Sequence, residues 1–315
     1  MNVLSLFNGM SFCSMALESL GVNVNKMYSS EIDKYANQAT QAMFPDTIQL
    51  GDVTQWREWN IDWASIDLVT GGFPCQAWSM AGKQLGDKDE RGMLFWTMLD
   101  IMKHVRYHNP KADFLIENVK MKKEFEQYIT THTETALGKV HKILINSALV
   151  SAQNRNRYYW TSFDVEQPEE TLINLGEIIE HKVDDKYLLS EKLMAGFARK
   201  AERLKGTGST GFGTFNVRSL HEKCSTLTAR YYKCGITDPY IHVASPCKFV
   251  GMKRVDYDVY RKLTPRECFR LQTVPEHHID TLLSAGISDT QLYKMCGNGW
   301  TMEVIKHIFK ALAIN

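Results

Sequence analysis

The sequence lacks several features that would assign it to whole classes of protein. No apolar run approaches ~18 residues, the length that spans a membrane, so we expect no membrane contact. The first residues carry no basic region before a strand-like pattern begins, so we expect no signal peptide. The seven cysteines are scattered and form no Cys-x-x-Cys pair. This argues against a disulfide framework and against a bound metal, and indicates reduced thiols in a cytoplasm.

Net charge is also nearly absent, because 37 basic side chains balance 36 acidic ones. Composition alone therefore predicts no nucleic-acid partner, and any DNA-binding surface must be a local patch. The chain contains no Gly-x-Gly-x-x-Gly motif, which leaves a dinucleotide oxidoreductase poorly supported. Its 315 residues fit one large domain or two unequal ones, and we see no internal repeat.

The N-terminal segment predicts a strand, a turn, a helix and a second strand. These elements occupy residues 2–7, 8–11, 13–20 and 24–29. Glu31 follows the second strand about twenty residues after Gly9, the spacing at which an acid meets the ribose of a bound nucleoside in such folds. A purely structural strand-helix-strand unit is the alternative.

Gly51-Asp52-Val53 lies at another strand end and offers a second acid. A carboxylate here can accept a hydrogen bond from an adenine amino group. The alternative is that Asp52 caps a helix, which is a common role for an aspartate before a helical turn.

A lone cysteine lies on a sharp turn in Gly71-Gly72-Phe73-Pro74-Cys75-Gln76-Ala77-Trp78-Ser79. The preceding run, residues 66–70, predicts a buried strand, and the glycines and proline end it. A thiolate on such a turn is a candidate nucleophile, because it attacks electron-poor carbon well. A small buried hydrophobic side chain is the alternative. Residues 81–91 show no periodicity and predict a mobile loop, and residues 93–105 predict a helix.

Glu117 follows the predicted strand 114–116, and ligands of open α/β sheets gather at the carboxyl ends of strands. We therefore expect Glu117 and Cys75 to share one crevice. Residues 141–150 and 157–163 predict a strand pair. Arg155 and Arg157 lie in the extended segment between them, which projects both guanidinium groups to one side. A solvated surface is the alternative for these arginines.

The α/β alternation stops after residue 164. Residues 188–204 predict a helix, and a glycine-rich loop follows at 206–213. Hydroxyls, aromatic rings and cations in 225–233 suggest a nucleic-acid surface, with the edge of a β-hairpin as the alternative. Thr264-Pro265-Arg266-Glu267 predicts a helix start with a capping box. Gly297-Asn298-Gly299-Trp300-Thr301 then opens the predicted last helix, 302–313.

Taken in order, these stretches resemble the motif series of the bacterial and phage DNA cytosine-5 methyltransferases. The matching motifs are Leu6-Phe7-Asn8-Gly9-Met10, Glu31, Gly51-Asp52-Val53, Gly72-Phe73-Pro74-Cys75-Gln76, Arg91-Gly92-Met93-Leu94-Phe95, Glu117-Asn118-Val119, Gln153-x-Arg155-x-Arg157, Arg261-Lys262-Leu263-Thr264-Pro265-Arg266-Glu267-Cys268 and Gly297-Asn298. The resemblance covers residues 1–163 and roughly 261–313. It departs from the family in the first motif, where Ser5 and Ser11-Phe12 replace an acid and further glycines, and at Gly299-Trp300, where many members have small apolar residues.

The resemblance implies an α/β, Rossmann-like class I fold that binds S-adenosyl-L-methionine. Residues 1–189 and 287–315 would form the catalytic domain, and 190–286 a small, mainly β target-recognition domain that binds double-stranded DNA. Contacts to the methyl donor fall on Phe7, Gly9, Met10, Glu31, Ile32, Asp52, Val53, Pro74, Leu94 and Asn298. Contacts to DNA fall on Gln76, Ser79, Thr226 and Arg230.

The resemblance also implies a mechanism in which the Cys75 thiolate adds to C6 of a flipped-out cytosine. Glu117 would hold a proton at ring N3, Arg157 would bind O2, and Arg155 would orient the acid or a phosphate. The mobile loop 76–91 would close over the base. C5 would accept the methyl group before Cys75 leaves.

The alternatives are an RNA cytosine-5 methyltransferase of the tRNA-modifying type and a catalytically inactive DNA-binding homologue. An amino-group methyltransferase would need Asn/Asp-Pro-Pro-Tyr, and the nearest string, Asp238-Pro239-Tyr240, lacks a proline. We expect a monomer in the cytoplasm of a bacterium or a phage-infected cell. The sequence does not name the target site. It leaves open whether the protein accompanies a separate restriction endonuclease, shields phage DNA or marks a chromosome.

Overall fold

The computed structural model describes residues 1–74, 90–204, 216–243, 247–250, 253–256 and 259–312. A seven-stranded sheet forms its centre. The strands are β1 (Asn2–Leu6), β2 (Lys26–Ser30), β3 (Ile48–Gln49), β4 (Leu68–Gly71), β5 (Asp113–Val119), β6 (His141–Asn146) and β7 (Asn156–Thr161). Their order across the sheet is β3-β2-β1-β4-β5-β7-β6. The first five are parallel, and β7 runs antiparallel to both β5 and β6. The predicted strand pair is thus confirmed.

The central strands are apolar because helices cover both faces of the sheet. Neighbouring side chains on a strand alternate between two apolar cores. On β1, Val3 enters one core and Leu4 the other, and on β5 Leu115 and Ile116 divide in the same way. All four side chains are fully buried. The predicted Rossmann-like α/β fold is confirmed.

Nine α-helices lie within the described ranges. They are α1 (Phe12–Ser19), α2 (Lys34–Met43), α3 (Glu90–His108), α4 (Lys123–Leu137), α5 (Glu191–Leu204), α6 (Pro265–Leu271), α7 (Glu276–Ser284), α8 (Asp289–Asn298) and α9 (Met302–Phe309). α9 packs against α1 on one face of the sheet, and α3 packs against α4 on the other. None of the helices in the described part is long and apolar enough to cross a membrane.

The C-terminal helices correct one prediction and confirm another. Thr264 caps α6, and Glu267 completes the predicted capping box. Gly297 and Asn298, however, end α8 rather than open the last helix, which begins at Met302. The prediction missed α7 and α8. The turn between α8 and α9 carries Trp300 towards the sheet.

Smaller sheets form between α5 and α6. β8 (Val217–Arg218), β9 (Tyr240–Val243) and β12 (Val259–Lys262) make a three-stranded sheet, and β10 (Cys247–Val250) pairs with β11 (Lys253–Asp256). Residues 225–233 form no hairpin strand. They make an irregular segment that ends in the 3₁₀ turn Tyr231–Lys233.

The sheet order places a topological switch between β1 and β4. The chain leaves β1 towards β2 on one side, whereas β4 leads to β5 on the other. In open α/β sheets this arrangement opens a crevice at the carboxyl ends of the strands, where ligands bind.

Candidate active site

A cavity of about 380 Å³ lies at the carboxyl ends of β1, β2, β4 and β5. All ten residues predicted to contact the methyl donor line it. They are Phe7, Gly9, Met10, Glu31, Ile32, Asp52, Val53, Pro74, Leu94 and Asn298. Glu117, Arg155 and Arg157 line the same cavity. The strand ends therefore bring the two predicted groups of site residues together.

The turn after β1 has an uncommon backbone, and a carboxylate is one of the groups that hold it in place. Phe7, Gly9 and Ser11 have φ angles of 54°, 57° and 65°, in the left-handed region. Non-glycine residues in this region store strain that is often found at ligand sites. Glu31 Oε2 accepts the Gly9 N–H at 2.9 Å, and its Oε1 accepts the N–H groups of Ile32 and Asp33 at 2.8 Å. Glu31 thus joins the ends of β1 and β2.

Asp52 caps a short 3₁₀ helix and lines the cavity with the same side chain. Its Oδ1 accepts the Thr54 N–H at 2.8 Å. Asp52 therefore caps a helix, as the alternative predicted, and this cap is compatible with a role in binding. Ile32 is 76% exposed although it is apolar, and Phe7 lines the cavity beside it. Apolar surface beside two carboxylates fits the rings and hydroxyls of a nucleoside.

The end of β4 approaches its neighbours so closely that any side chain larger than glycine would displace one of them. A Cβ on Gly72 would lie 3.0 Å from Glu117 Oε2 and 3.1 Å from Trp300 Nε1. Asn118 Nδ2 donates to the Phe73 carbonyl at 3.0 Å, which fixes the chain just before Pro74. Three further residues predicted for the site, Cys75, Gln76 and Ser79, lie outside the described residues, as does most of the predicted loop 76–91.

Glu117 is a buried carboxyl group held at both oxygens. Arg157 Nε lies 3.0 Å from Oε1, and Trp300 Nε1 donates to Oε2 at 3.0 Å. Burial raises the pKa of Glu117, although the charges of Arg157 and Arg155 and the Trp300 hydrogen bond act in the opposite direction. A carboxyl group with a raised pKa is suited to holding a proton near neutral pH.

The two predicted arginines have different partners, and neither is a solvated surface residue. Arg157 contacts Glu117 and donates through Nη1 to the Asn156 carbonyl at 2.8 Å. Arg155 is 2% exposed and donates to three carbonyl oxygens instead. Its partners are Leu227 at 3.2 Å, Gly297 at 3.1 Å and Gly299 at 2.7 Å. Arg155 therefore holds the cavity wall together, and its charge acts on Glu117 from a second position.

Thr226 and Arg230, the described residues predicted to contact DNA, do not line the cavity. Both are exposed, and Thr226 Oγ1 donates to the Asn154 carbonyl oxygen. The adjoining backbone of Thr228 packs against Gly297, where a Cβ would lie 2.2 Å from the Thr228 carbonyl carbon. The segment 225–230 therefore lies against the wall of the cavity with two of its polar side chains outward.

Several residues of the cavity received no role from the sequence, and three of them make polar contacts that shape it. Asn118 and Trp300 make the contacts described above, and Lys294 on α8 pairs with Asp33 at 2.6 Å. Asn118 stands beside Glu117 in one of the matching sequence motifs, and Trp300 is one of the positions where the sequence departs from the motif series. Lys294 gave no signal, because one lysine in an unpredicted helix resembles any solvated side chain.

Comparisons with known proteins agree on one family. The family model described as C-5 cytosine-specific DNA methylase matches residues 1–313. The type II methyltransferase M1.ScrFI of Lactococcus lactis subsp. cremoris is 37% identical over 303 residues, which is 90% of this chain and 71% of that protein. The type II methyltransferase M.NlaX of Neisseria lactamica is 35% identical over 323 residues, 97% of this chain and 94% of that protein. The solved methyltransferase EhMeth of Entamoeba histolytica has the same fold. Its TM-score is 0.75 at 17% identity, over 99% of this chain and 97% of that one.

Proposed function

The chain belongs to the C-5 cytosine-specific DNA methylase family, whose members use S-adenosyl-L-methionine, and we propose roles for its residues in the reaction. In this reaction the protein methylates a cytosine within a specific DNA sequence. Glu117, Arg157 and Cys75 act on the base, and the turns after β1, β2 and β3 hold the methyl donor. The observation that carries this proposal is the single cavity lined by Glu117, Arg157 and all ten donor-contact candidates.

The donor end of the cavity suits S-adenosyl-L-methionine in its chemistry. Glu31 would hold the ribose hydroxyls, and Asp52 would accept from the adenine amino group. Phe7 and Ile32 would cover the adenine ring with apolar surface. When bound, S-adenosyl-L-methionine supplies the electrophilic methyl group that C5 of the cytosine accepts.

The protein's own groups make C5 reactive. The Cys75 thiolate adds to C6, and the ring electrons move towards C5 and N3. Glu117 holds a proton at N3 and offsets the charge that develops there, which its burial supports. Arg157 binds O2 from beside Glu117. Water or hydroxide then removes the C5 proton, and Cys75 leaves as C6 regains its double bond to C5.

This chemistry needs a base outside the stacked duplex, so the cytosine must flip into the cavity. We propose that residues 1–189 and 287–315 form the catalytic domain and that 190–286 recognise the DNA sequence. The segment 225–230 supports this division, because it lies against the cavity wall with Thr226 and Arg230 exposed. Gln76 and Ser79 would contact the DNA beside Cys75.

The test is expression in a host that lacks cytosine methylation, followed by bisulfite sequencing of the host DNA. Protected cytosines in one short motif are expected, and the Cys75→Ser variant should leave every cytosine convertible. Full conversion with the wild-type protein would refute DNA methylation. A tritiated-methyl assay on total RNA would then distinguish an RNA substrate from an inactive DNA binder.

We further propose that the enzyme works as a monomer in the cytoplasm and that a separate restriction endonuclease shares its target sequence. The naming of its relatives as type II methyltransferases supports the second part. Light scattering of the purified protein with and without duplex DNA measures its mass and therefore tests whether it is a monomer. The second predicts that DNA methylated by this protein resists an endonuclease that cuts the motif found by bisulfite sequencing.

A further inference from the structure

The tryptophan on the turn between α8 and α9 reaches the buried carboxyl group of the site. Trp300 Nε1 donates to Glu117 Oε2 at 3.0 Å, across 183 positions of the chain. The side chain is 9% exposed and lines the cavity. On the other side of the same carboxyl group, Arg157 Nε lies 3.0 Å from Oε1. Each oxygen of Glu117 thus has its own N–H donor.

We propose that Trp300 is a positioning residue for Glu117, and that its indole N–H fixes the carboxyl group in the orientation that meets N3 of the flipped cytosine. This inference rests on the proposed function. With only Arg157 as a partner, the terminal torsion of a glutamate is broad, and the group would turn about its last bond. A donor at each oxygen removes that freedom before the base arrives, which is how a site is preorganised.

The surroundings of Trp300 fix the turn that carries the indole. Arg155 donates to the carbonyls of Gly297 and Gly299, which flank the end of α8 just before Trp300. A Cβ on Gly299 would lie 2.1 Å from the ring of Phe12, so the turn packs tightly there. A Cβ on Gly72 would approach both ends of the Trp300–Glu117 hydrogen bond. Arg155 and Gly299 therefore hold the backbone of the turn, and Gly72 leaves space for the contact between the indole and Glu117.

Simple core packing is the competing explanation, and another tryptophan provides the comparison. Trp59 is also 9% exposed, but its Nε1 has no hydrogen-bond partner among the described residues. It packs with Trp63 in a different part of the core. If Trp300 only filled space, replacing either indole by a phenyl ring would have the same small effect on the reaction.

The hydrogen bond also affects the proton on Glu117. Among the described residues, the charged and titratable groups that act on Glu117 are Arg157 and Tyr159 on β7 and Arg155 just before it. Burial keeps Tyr159 neutral by raising its pKa, so the arginines supply the charge. Burial raises the pKa of Glu117, and the Trp300 N–H lowers it by favouring the carboxylate. Removing this donor should therefore raise the pKa of Glu117 further.

The experiment measures single-turnover methylation between pH 5.5 and 9 on a duplex that contains the motif found by bisulfite sequencing. The proteins are wild type, Trp300→Phe, Trp300→Gln and the matched control Trp59→Phe. Phenylalanine keeps a ring without a donor, whereas glutamine keeps an N–H donor without the ring. Binding of S-adenosyl-L-methionine by calorimetry shows that each variant is folded with its donor site intact.

We expect Trp300→Phe to slow methyl transfer about tenfold, the cost of one lost hydrogen bond, with little change in the calorimetric affinity for S-adenosyl-L-methionine. In the pH–rate profile, the limb where the rate falls with rising pH should move to higher pH, because Glu117 stays protonated up to a higher pH. Trp300→Gln should recover part of the rate, and Trp59→Phe should match wild type in rate and pH profile.

Two results would overturn the inference. One is a Trp300→Phe protein with the rate and pH profile of wild type. The other is a slower protein whose falling limb stays in place and whose rate Trp300→Gln does not improve, since packing alone would give this result. A wild-type protein that methylates no DNA would refute the proposed function instead, so the two failures are distinguishable.

Discussion

Arg155 donates to the Gly299 carbonyl at 2.7 Å and thereby ties the segment before β7 to the turn between α8 and α9. The same guanidinium group reaches the Leu227 carbonyl at 3.2 Å. One buried cation therefore joins three distant parts of the chain at the wall of the cavity. Its role in this structure is to position the wall, whereas Arg157 contacts the acid directly.

Arg155→Lys should destabilise the protein, because an ammonium group cannot reproduce the planar fork that reaches three carbonyls. Loss of hydrogen bonds made by a buried charged group predicts a fall of about 2 kcal/mol or more in the free energy of unfolding. Urea denaturation measures this value. Arg199→Lys on the exposed face of α5 is the matched control and should change stability little. Equal stability of the two variants would contradict the inference that Arg155 positions the cavity wall.

Gly72→Ala should impair the reaction more than it impairs folding. Its Cβ would lie 3.0 Å from Glu117 Oε2 and 3.1 Å from Trp300 Nε1, so the carboxyl group must turn or the indole must retreat. We expect at least about a tenfold slower single-turnover rate, the cost of one lost hydrogen bond to a charged group. Gly196→Ala is the control, because its Cβ would meet only Arg199 Nη2, at 4.0 Å. It should leave the rate unchanged and stabilise α5. Equal rates for both variants would contradict the prediction.

The parts of the fold that could be predicted are those with a local sequence signal. β4 and the middle of β5, residues 114–116, are short apolar runs, and burial between helices explains why they do not alternate with polar residues. β5 itself continues through Glu117 to Val119, so Glu117 lies within the strand and not after it. The position of Glu117 in one cavity with the turns after β1 and β2 follows from the rule that parallel strands end at one edge. The capping box at Thr264 was likewise local, and it located the start of α6.

The remaining features depend on contacts between distant residues. Trp300 and Glu117 meet only after the sheet and the C-terminal helices are assembled, and no sequence periodicity predicts that contact. The buried state of Arg155 depends on carbonyls at 227, 297 and 299 in the same way. Asp52 shows that a helix cap can also lie in the cavity, because its side chain caps a turn and lines the cavity wall.

Glu31→Gln should weaken binding of S-adenosyl-L-methionine. The two carboxylate oxygens accept three backbone N–H groups, and an amide would replace one acceptor by a donor. The turn at Gly9 would then lose a hydrogen bond that holds it, and we expect the Kd for S-adenosyl-L-methionine to rise about tenfold or more. Isothermal titration calorimetry measures the affinity. Glu58→Gln at an exposed position is the control. An unchanged Kd for Glu31→Gln would show that the turn keeps its shape without the carboxylate.

Stability should fall in mild acid because of a histidine between α1 and α7. His278 Nε2 lies 2.6 Å from Glu18 Oε2, and the His278 side chain is 5% exposed. Burial lowers the pKa of His278 below its ordinary 6.5, although Glu18 opposes the shift. Folding therefore favours the neutral ring, so the contribution of His278 is complete above about pH 6.5 and is lost as the pH falls towards its folded pKa.

His278→Gln tests this pH dependence, because glutamine can still donate to Glu18 but does not titrate. Thermal melts between pH 5 and 8 should show a smaller loss of stability in acid for this variant than for wild type. His277→Gln is the matched control. The His277 ring is largely exposed and lies farther from the same oxygen, at 3.8 Å, and its charge is the smallest influence on the pKa of His278, so this variant should keep most of the wild-type dependence. Identical slopes for wild type and His278→Gln would assign the acid sensitivity to other groups and leave Glu18–His278 as a tie between two helices.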